Sequence, residues 1–291
     1  MTGFTNVVPS KIRRPGLYQS LRTAVRESLN LSSGILKCSR LALTGKLIRM
    51  PMKLITDEFA FSLVPDGWNF YCDLIAAYEK SPDISLETTK FSRFFQDERV
   101  KHVRYLNDLL FLHIPGKRSQ EDEFKFYLGT YPWGGLTRAD SLAGGTPFGW
   151  HFDRVEGKMS RDLWGYGRNL WYEPGDRYTL EVEKNVTLRI YRSLKKRYLP
   201  LLYLPFPVVT LLVRRDGERR ALILDGHHRL PALSYLGYEQ VIVELTDTVN
   251  ETEVEQWYYV KNGLCTRQLA LEIFSAFFEL NGRERIAYLD L

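Results

Sequence analysis

Asp225-Gly226-His227-His228-Arg229 holds the densest chemistry in this 291-residue sequence: a carboxylate, two imidazoles and a guanidinium around one glycine. It follows the apolar run Leu222-Ile223-Leu224 and precedes Leu230-Pro231-Ala232-Leu233. A strand that runs into a glycine turn and opens a helix leaves the first helical N–H groups without partners, at the positive end of the dipole. Such a turn binds phosphate and other anions. His227, His228 and Arg229 add donors at the same point, and an arginine can grip two phosphate oxygens at once. Gly226 lets the backbone approach a ligand closely. Metal binding is the weaker alternative. Neighbouring helical side chains diverge by about 100°, so the two histidines would need a third ligand, for which Asp225 is the available neighbour. A purely structural role for the loop is the third reading.

The flanking elements must hold this loop in place. Val182, Val186, Ile190 and Leu194 recur every four residues and predict a helix over Leu180–Arg197, with Lys195-Lys196-Arg197 suiting its C-terminal dipole and Pro200 ending it. Val208–Arg214 is a β-branched run, Asp216-Gly217 a hairpin turn and Arg220–Leu224 the return strand. A short helix through Leu236, a stop at Gly237 and a strand over Gln240–Leu245 complete the unit. Further helices are expected over Glu251–Lys261 and Thr266–Leu280, the latter capped by Thr266 and stopped by Asn281-Gly282. Upstream, Trp68–Tyr78 has helical spacing and Asp122–Tyr127 alternates as a strand would. His102 and His113 stand singly, without a second ligand at metal spacing. Tyr131–Gly175 carries nine glycines and four tryptophans (Trp133, Trp150, Trp164, Trp171), which reads as long loops that either supply core or cover a ligand.

Composition narrows the class. No run of about 18 uncharged apolar residues exists, which argues against a membrane span. Three scattered cysteines (Cys38, Cys72, Cys265) exclude a disulfide framework and a thiolate zinc cluster, and fit a cytoplasmic protein. The formal charge of +5 is uneven. Residues 1–54 carry ten Lys/Arg against the single acid Glu27. Leu17, Leu21, Val25 and Leu29 make part of this segment a basic amphipathic helix. It is either packed on the body or, through residues 11–54, in contact with a polyanion or membrane surface; a transit peptide is the third option.

With these residues on the page, the stretch from about Arg177 to Leu245 resembles the ParB/sulfiredoxin fold, whose mark is a Gly-x-x-Arg loop at a helix N-terminus after a hairpin. ParB-type proteins carry Gly-Glu-Arg-Arg there and bind a nucleoside triphosphate. Sulfiredoxins carry Gly-Cys-His-Arg, use ATP and employ the cysteine as nucleophile. Free serine kinases of this fold carry an Asp-Gly-x-His-Arg loop and transfer a phosphoryl group to a small hydroxyl. In this sequence His227 stands at the cysteine position, which argues against sulfinic-acid reduction. Only 46 residues follow Leu245, with no obvious recognition helix, so sequence-specific DNA binding is not expected.

The resemblance implies an α+β protein with a mixed-sheet core over residues 171–248. Charge, composition and periodicity, rather than the resemblance, place around it a basic amphipathic segment (1–54), an accessory α/β and Trp/Gly-rich loop region (55–170) and a helical C-terminal extension (249–291). The resemblance implies phosphotransfer from ATP or another nucleotide, with Mg²⁺, to a small-molecule acceptor. Gly226, His227, His228 and Arg229 would hold the phosphates. Glu181 or Glu183 would act on the acceptor hydroxyl, with Glu173 a weaker choice. Asp225 would either assist Mg²⁺ or cap the following helix. The non-enzymatic alternative is a nucleotide-sensing switch or adaptor, which needs no acid beside the loop. A nuclease is disfavoured, because no clustered carboxylate triad is visible.

Overall fold

Alternating apolar residues along Val208–Val213 (β3) and Arg219–Asp225 (β4) send Ala221 and Ile223 to one face of a sheet and Leu222 to the other. The computed structural model describes residues 45–63, 67–100, 103, 105–114, 117, 124–126, 130–134, 177–199 and 206–291. The amphipathic helix expected around 17–29, the rest of 11–44, His102, Glu173 and the loops bearing Trp150, Trp164 and Trp171 lie outside these residues.

The protein is mixed α+β. Leu47–Pro51 (β1), Ile55–Thr56 (β2), β3, β4 and Gln240–Asn250 (β5) form one five-stranded sheet in the order β1-β5-β3-β4-β2. The pairings β1/β5 and β3/β4 are antiparallel; β3/β5 and β2/β4 are parallel. Leu47–Pro51 is therefore a sheet edge rather than part of a separate basic segment, and one sheet spans the division drawn at residue 54. The β3/β4 hairpin turns at Asp216-Gly217, as expected, with Gly217 at φ +89° and Asp216 Oδ1 accepting the Glu218 N–H at 2.9 Å.

Eight helices complete the described residues: Phe70–Lys80 (α1), Lys90–Gln96 (α2), Leu106–Leu110 (α3), Arg177–Lys196 (α4), Arg229–Tyr235 (α5), Tyr258–Lys261 (α6), Arg267–Glu279 (α7) and Arg283–Tyr288 (α8). Helices α1, α4 and α5 cover one sheet face, where Ile75, Tyr191, Leu194, Leu230 and Leu233 pack on Val209, Ile223 and Val243. The other face, at Leu212, Leu222 and Val249, meets α7 and a phenylalanine-rich cluster that α1, α2 and α3 share. The C-terminal residues are thus one wall of the core.

Three local expectations are corrected. Residues 124–126 form no strand, because their backbone is taken by other partners: Phe126 N–H donates to Asn107 Oδ1, Phe124 C=O accepts from Asn107 Nδ2, and Phe126 C=O accepts from Leu106 N–H. Glu251–Lys261 divides into a 3₁₀ turn over Glu251–Gln256 and the short α6. The buried side of α4 is not the Val182/Val186/Ile190 stripe, which is only partly buried. It runs through Leu180, Glu183, Thr187, Tyr191 and Leu194. Two polar residues have been turned inward, and their partners identify the site.

Candidate functional site

The loop after β4 is shaped by Gly226, whose φ of +103° is left-handed. A Cβ there would lie 2.8 Å from Pro207 Cβ, so the left-handed backbone and Pro207 together demand glycine. Asp225 does not cap α5; His228 stands at the cap position. Asp225 Oδ1 instead accepts the Gly226 N–H at 2.7 Å, and its Oδ2 pairs with Arg229 Nη2 at 2.9 Å, which fixes the direction of the guanidinium. Among the described residues the backbone N–H groups of His227 and His228 have no hydrogen-bond partner, as expected of the first residues of a helix.

His228 is buried and turned towards α4. Its Nδ1 lies 3.0 Å from Thr187 Oγ1 and its Nε2 3.4 Å from Glu183 Oε2. Glu183 and Thr187 are four residues apart and so share a helix face. The Tyr71 hydroxyl of α1 donates to the same Glu183 oxygen at 2.8 Å, and its ring centroid is 4.6 Å from that of His228. Burial pushes Glu183 up to about 8, opposed by the Tyr71 hydrogen bond. It pulls His228 down to about 3, helped by His227 and Arg229. Both shifts favour neutral forms, so near neutral pH this is a hydrogen-bonded chain rather than an ion pair. Glu181, two residues earlier, faces elsewhere and pairs with Lys184 at 2.8 Å. Of the two acids expected from sequence, the fold brings only Glu183 to the loop.

Two acids not singled out in the sequence complete the site. Asp57 and Glu58 follow β2, and with Phe59, Phe70, Tyr71 and His227 they line a narrow crevice. Asp57 is fully engaged: Oδ1 accepts the N–H groups of Phe59 at 2.9 Å and Phe61 at 2.8 Å, and Oδ2 accepts from Asn69 Nδ2 at 3.0 Å. Asn69 in turn caps α1 through Oδ1. The turn passes through Ala60 at φ +57°, a left-handed conformation that costs an L residue energy and persists only where its surroundings enforce it. Arg285 of α8 supplies that enforcement. Fully buried, it donates from Nη1 to Phe59 C=O at 2.5 Å and from Nη2 to Ala60 C=O at 2.7 Å, its guanidinium 3.9 Å from the Phe61 ring centroid.

Glu58 is 7% exposed, and its Oε1 is buried with no hydrogen-bond partner. Burial first, and then the Asp57 charge, push it up to about 8; burial raises Asp57 to about 7. Burial also lowers His227 to about 4. A signal for these acids existed in the sequence. Between Lys53 and Lys80 there is no base, and Asp57-Glu58 is enclosed by Ile55 and Phe59-Ala60-Phe61. Carboxylates in an apolar run without basic neighbours are candidates for burial with raised pKa.

No family model, curated protein or solved structure matches the chain. Among the described residues no helix is long and apolar enough to cross a membrane, and no group of three or more His, Cys, Asp or Glu side chains is placed to hold a metal ion.

Proposed function

We propose that this protein is a nucleotide-dependent phosphotransferase of the ParB/sulfiredoxin type, acting on a small hydroxyl-bearing acceptor. One observation carries the reading: His227 of the glycine loop and the carboxylates of Asp57 and Glu58 share a single crevice, with Glu183 one hydrogen bond away through Tyr71. A nucleotide switch requires a phosphate loop alone. Phosphoryl transfer also requires a group to orient and deprotonate the acceptor, best with a pKa near the working pH.

The residues present fit nucleotide phosphates. The His227 and His228 N–H groups are unpaired, and Arg229 is held in a fixed direction by Asp225. When bound, the nucleotide would supply the transferable phosphoryl group. The fit to Mg²⁺ is through the nucleotide: this ion commonly keeps its waters and binds through substrate phosphates with one or two carboxylates, and no protein cage for it exists among the described residues. The backbone N–H groups of His227 and His228 and the Arg229 guanidinium would hold phosphates, Gly226 would shape the turn that presents them, and Glu183 and Thr187 would fix the His228 ring. The aromatic walls from Phe59, Phe70 and Tyr71 would exclude water around the acceptor hydroxyl.

Phosphorus NMR of Mg-ATP incubated with the protein and pooled small alcohols tests the reading. A new phosphomonoester resonance is expected. Nucleotide binding without any such resonance would favour the switch instead.

A further inference from the structure

The crevice contains a carboxylate that the fold has buried and left without a partner, and polar groups are rarely abandoned in this way without use. A buried acceptor lacking a hydrogen bond costs about 1–3 kcal/mol, and in native proteins such a group calls for a specific explanation. The other acids and donors beside Glu58 are engaged, Arg285 Nε excepted. Asp57 accepts three hydrogen bonds, Arg285 clamps the two carbonyls that follow, and Tyr71 donates to Glu183. Glu58 Oε1 remains open at the crevice, in a turn held rigid from three directions.

Resting on the phosphotransferase reading above, we infer that Glu58, rather than Glu183, is the base that receives the proton of the acceptor hydroxyl. The crevice, with a volume of about 10 Å³, admits one water-sized group, so only the acceptor hydroxyl would enter it, between Glu58 and His227, with the rest of the acceptor outside. In the transfer, the hydroxyl oxygen forms its bond to the γ-phosphorus and the bond from that phosphorus to the β,γ-bridging oxygen breaks. The nucleoside diphosphate leaves with that electron pair, and the hydroxyl proton passes to the ionised Glu58 carboxylate. Glu183 is the positioning residue of the pair. It does not line the crevice, and its Oε2 is already occupied by the Tyr71 hydroxyl and lies 3.4 Å from His228 Nε2. The aromatic surroundings of Glu58 also suit an organic acceptor better than a hydrated cation.

The groups that bear on Glu58 are Asp57 on its own turn, Tyr71 of α1, Tyr131, His227 of the loop and Arg285 of α8 through Asp57. Phosphates placed beside a carboxyl disfavour its charged form, so nucleotide binding should raise the pH at which Glu58 ionises; transfer proceeds from the fraction that stays ionised, and the remainder is seen as proton uptake. Calorimetry of Mg-ATP binding at about pH 8, in buffers of different ionisation enthalpy, measures that uptake without any turnover. The wild type should take up protons. Glu58→Gln, isosteric with the protonated acid, should still bind but lose more than half of the uptake, and Glu183→Gln, whose carboxyl lies outside the crevice, should lose the smaller part. Slow release of phosphate to water should fall at least tenfold in Glu58→Gln, the low end for loss of a general base. Uptake that survives in Glu58→Gln, or that vanishes only in Glu183→Gln, overturns the assignment. Should glutamine disturb the turn, Glu58→Asp serves: binding persists with the pH midpoint of uptake moved downward, and an unmoved midpoint counts equally against Glu58. Failure of the wild type itself to bind Mg-ATP overturns the phosphotransferase reading, whereas normal binding with the wrong variant response overturns only the base.

Discussion

Gly226 and Glu183 show how single residues at this site answer to their neighbours. Gly226 combines a left-handed backbone with a Pro207 side chain where a Cβ would sit. Gly226→Ala should therefore cost about 1–3 kcal/mol, seen as a lowered urea midpoint with unchanged slope. A neutral substitution would mean that Pro207 can move away. The loop motif was legible in the sequence because its types and order are local. The reason for its glycine was not, since Pro207 lies nineteen residues away across the β3/β4 hairpin. Glu183 was legible only as one of two acids in the first turns of a helix. Which one faces the loop depends on how α4 is rotated, and the apolar stripe misleads there, because Glu183 and Thr187 occupy the inward face to meet Tyr71 and His228. Asp57 and Glu58 lacked a motif altogether, and only the absence of nearby bases hinted at them.

Elements far apart in sequence build the crevice. Helix α4, the hairpin, α5 and the start of β5 follow from periodicity and turn residues, and the structure places them within a residue of expectation except at the start of α4, three residues earlier at Arg177, and the end of β5, which runs on to Asn250. The edge strand β1 escaped notice because its partner β5 lies nearly two hundred residues downstream and its five residues include Arg49 and Pro51. Helix α8 is likewise unremarkable as a sequence, yet Arg285 ties it to the turn bearing Asp57 and Glu58. Arg285→Ala would remove a donor from each of two carbonyls. It should destabilise by about 3 kcal/mol or more, and it should expose the amides of Phe59 and Phe61 to faster hydrogen exchange than a core substitution of equal cost, such as Ile273→Ala in α7. Equal exchange in both variants would argue that Arg285 is only a packing residue.

At the scale of the whole molecule, the site sets the pH dependence of stability. Asp57 at about 7 and Glu58 and Glu183 at about 8 are protonated in the fold at pH values where the unfolded chain has released those protons. Each therefore makes stability fall as pH rises from the ordinary carboxylate range to its raised value. His227 and His228, lowered to about 4 and about 3, work the other way, but only up to their ordinary value of 6.5. Above about pH 6.5 the carboxyls act alone. Stability should then decline towards about pH 8 by on the order of 1 kcal/mol per pH unit for each carboxyl still protonated. Urea unfolding across this range should show the decline, and Glu58→Gln should make it shallower. A flat profile would mean that these carboxyls are not buried in the folded protein.

The central claim is that the Gly226–Arg229 loop holds nucleotide phosphates, and calorimetric titration of Mg-ATP into the wild type and Arg229→Ala tests it most directly. Asp225 is half exposed, so it tolerates the loss of its partner and the variant should remain folded. The account predicts binding by the wild type and at least tenfold weaker binding by Arg229→Ala, the scale of one charge-assisted hydrogen-bonded contact at about 1.5–3 kcal/mol. Equal affinity in both proteins, or no binding by the folded wild type, would contradict it.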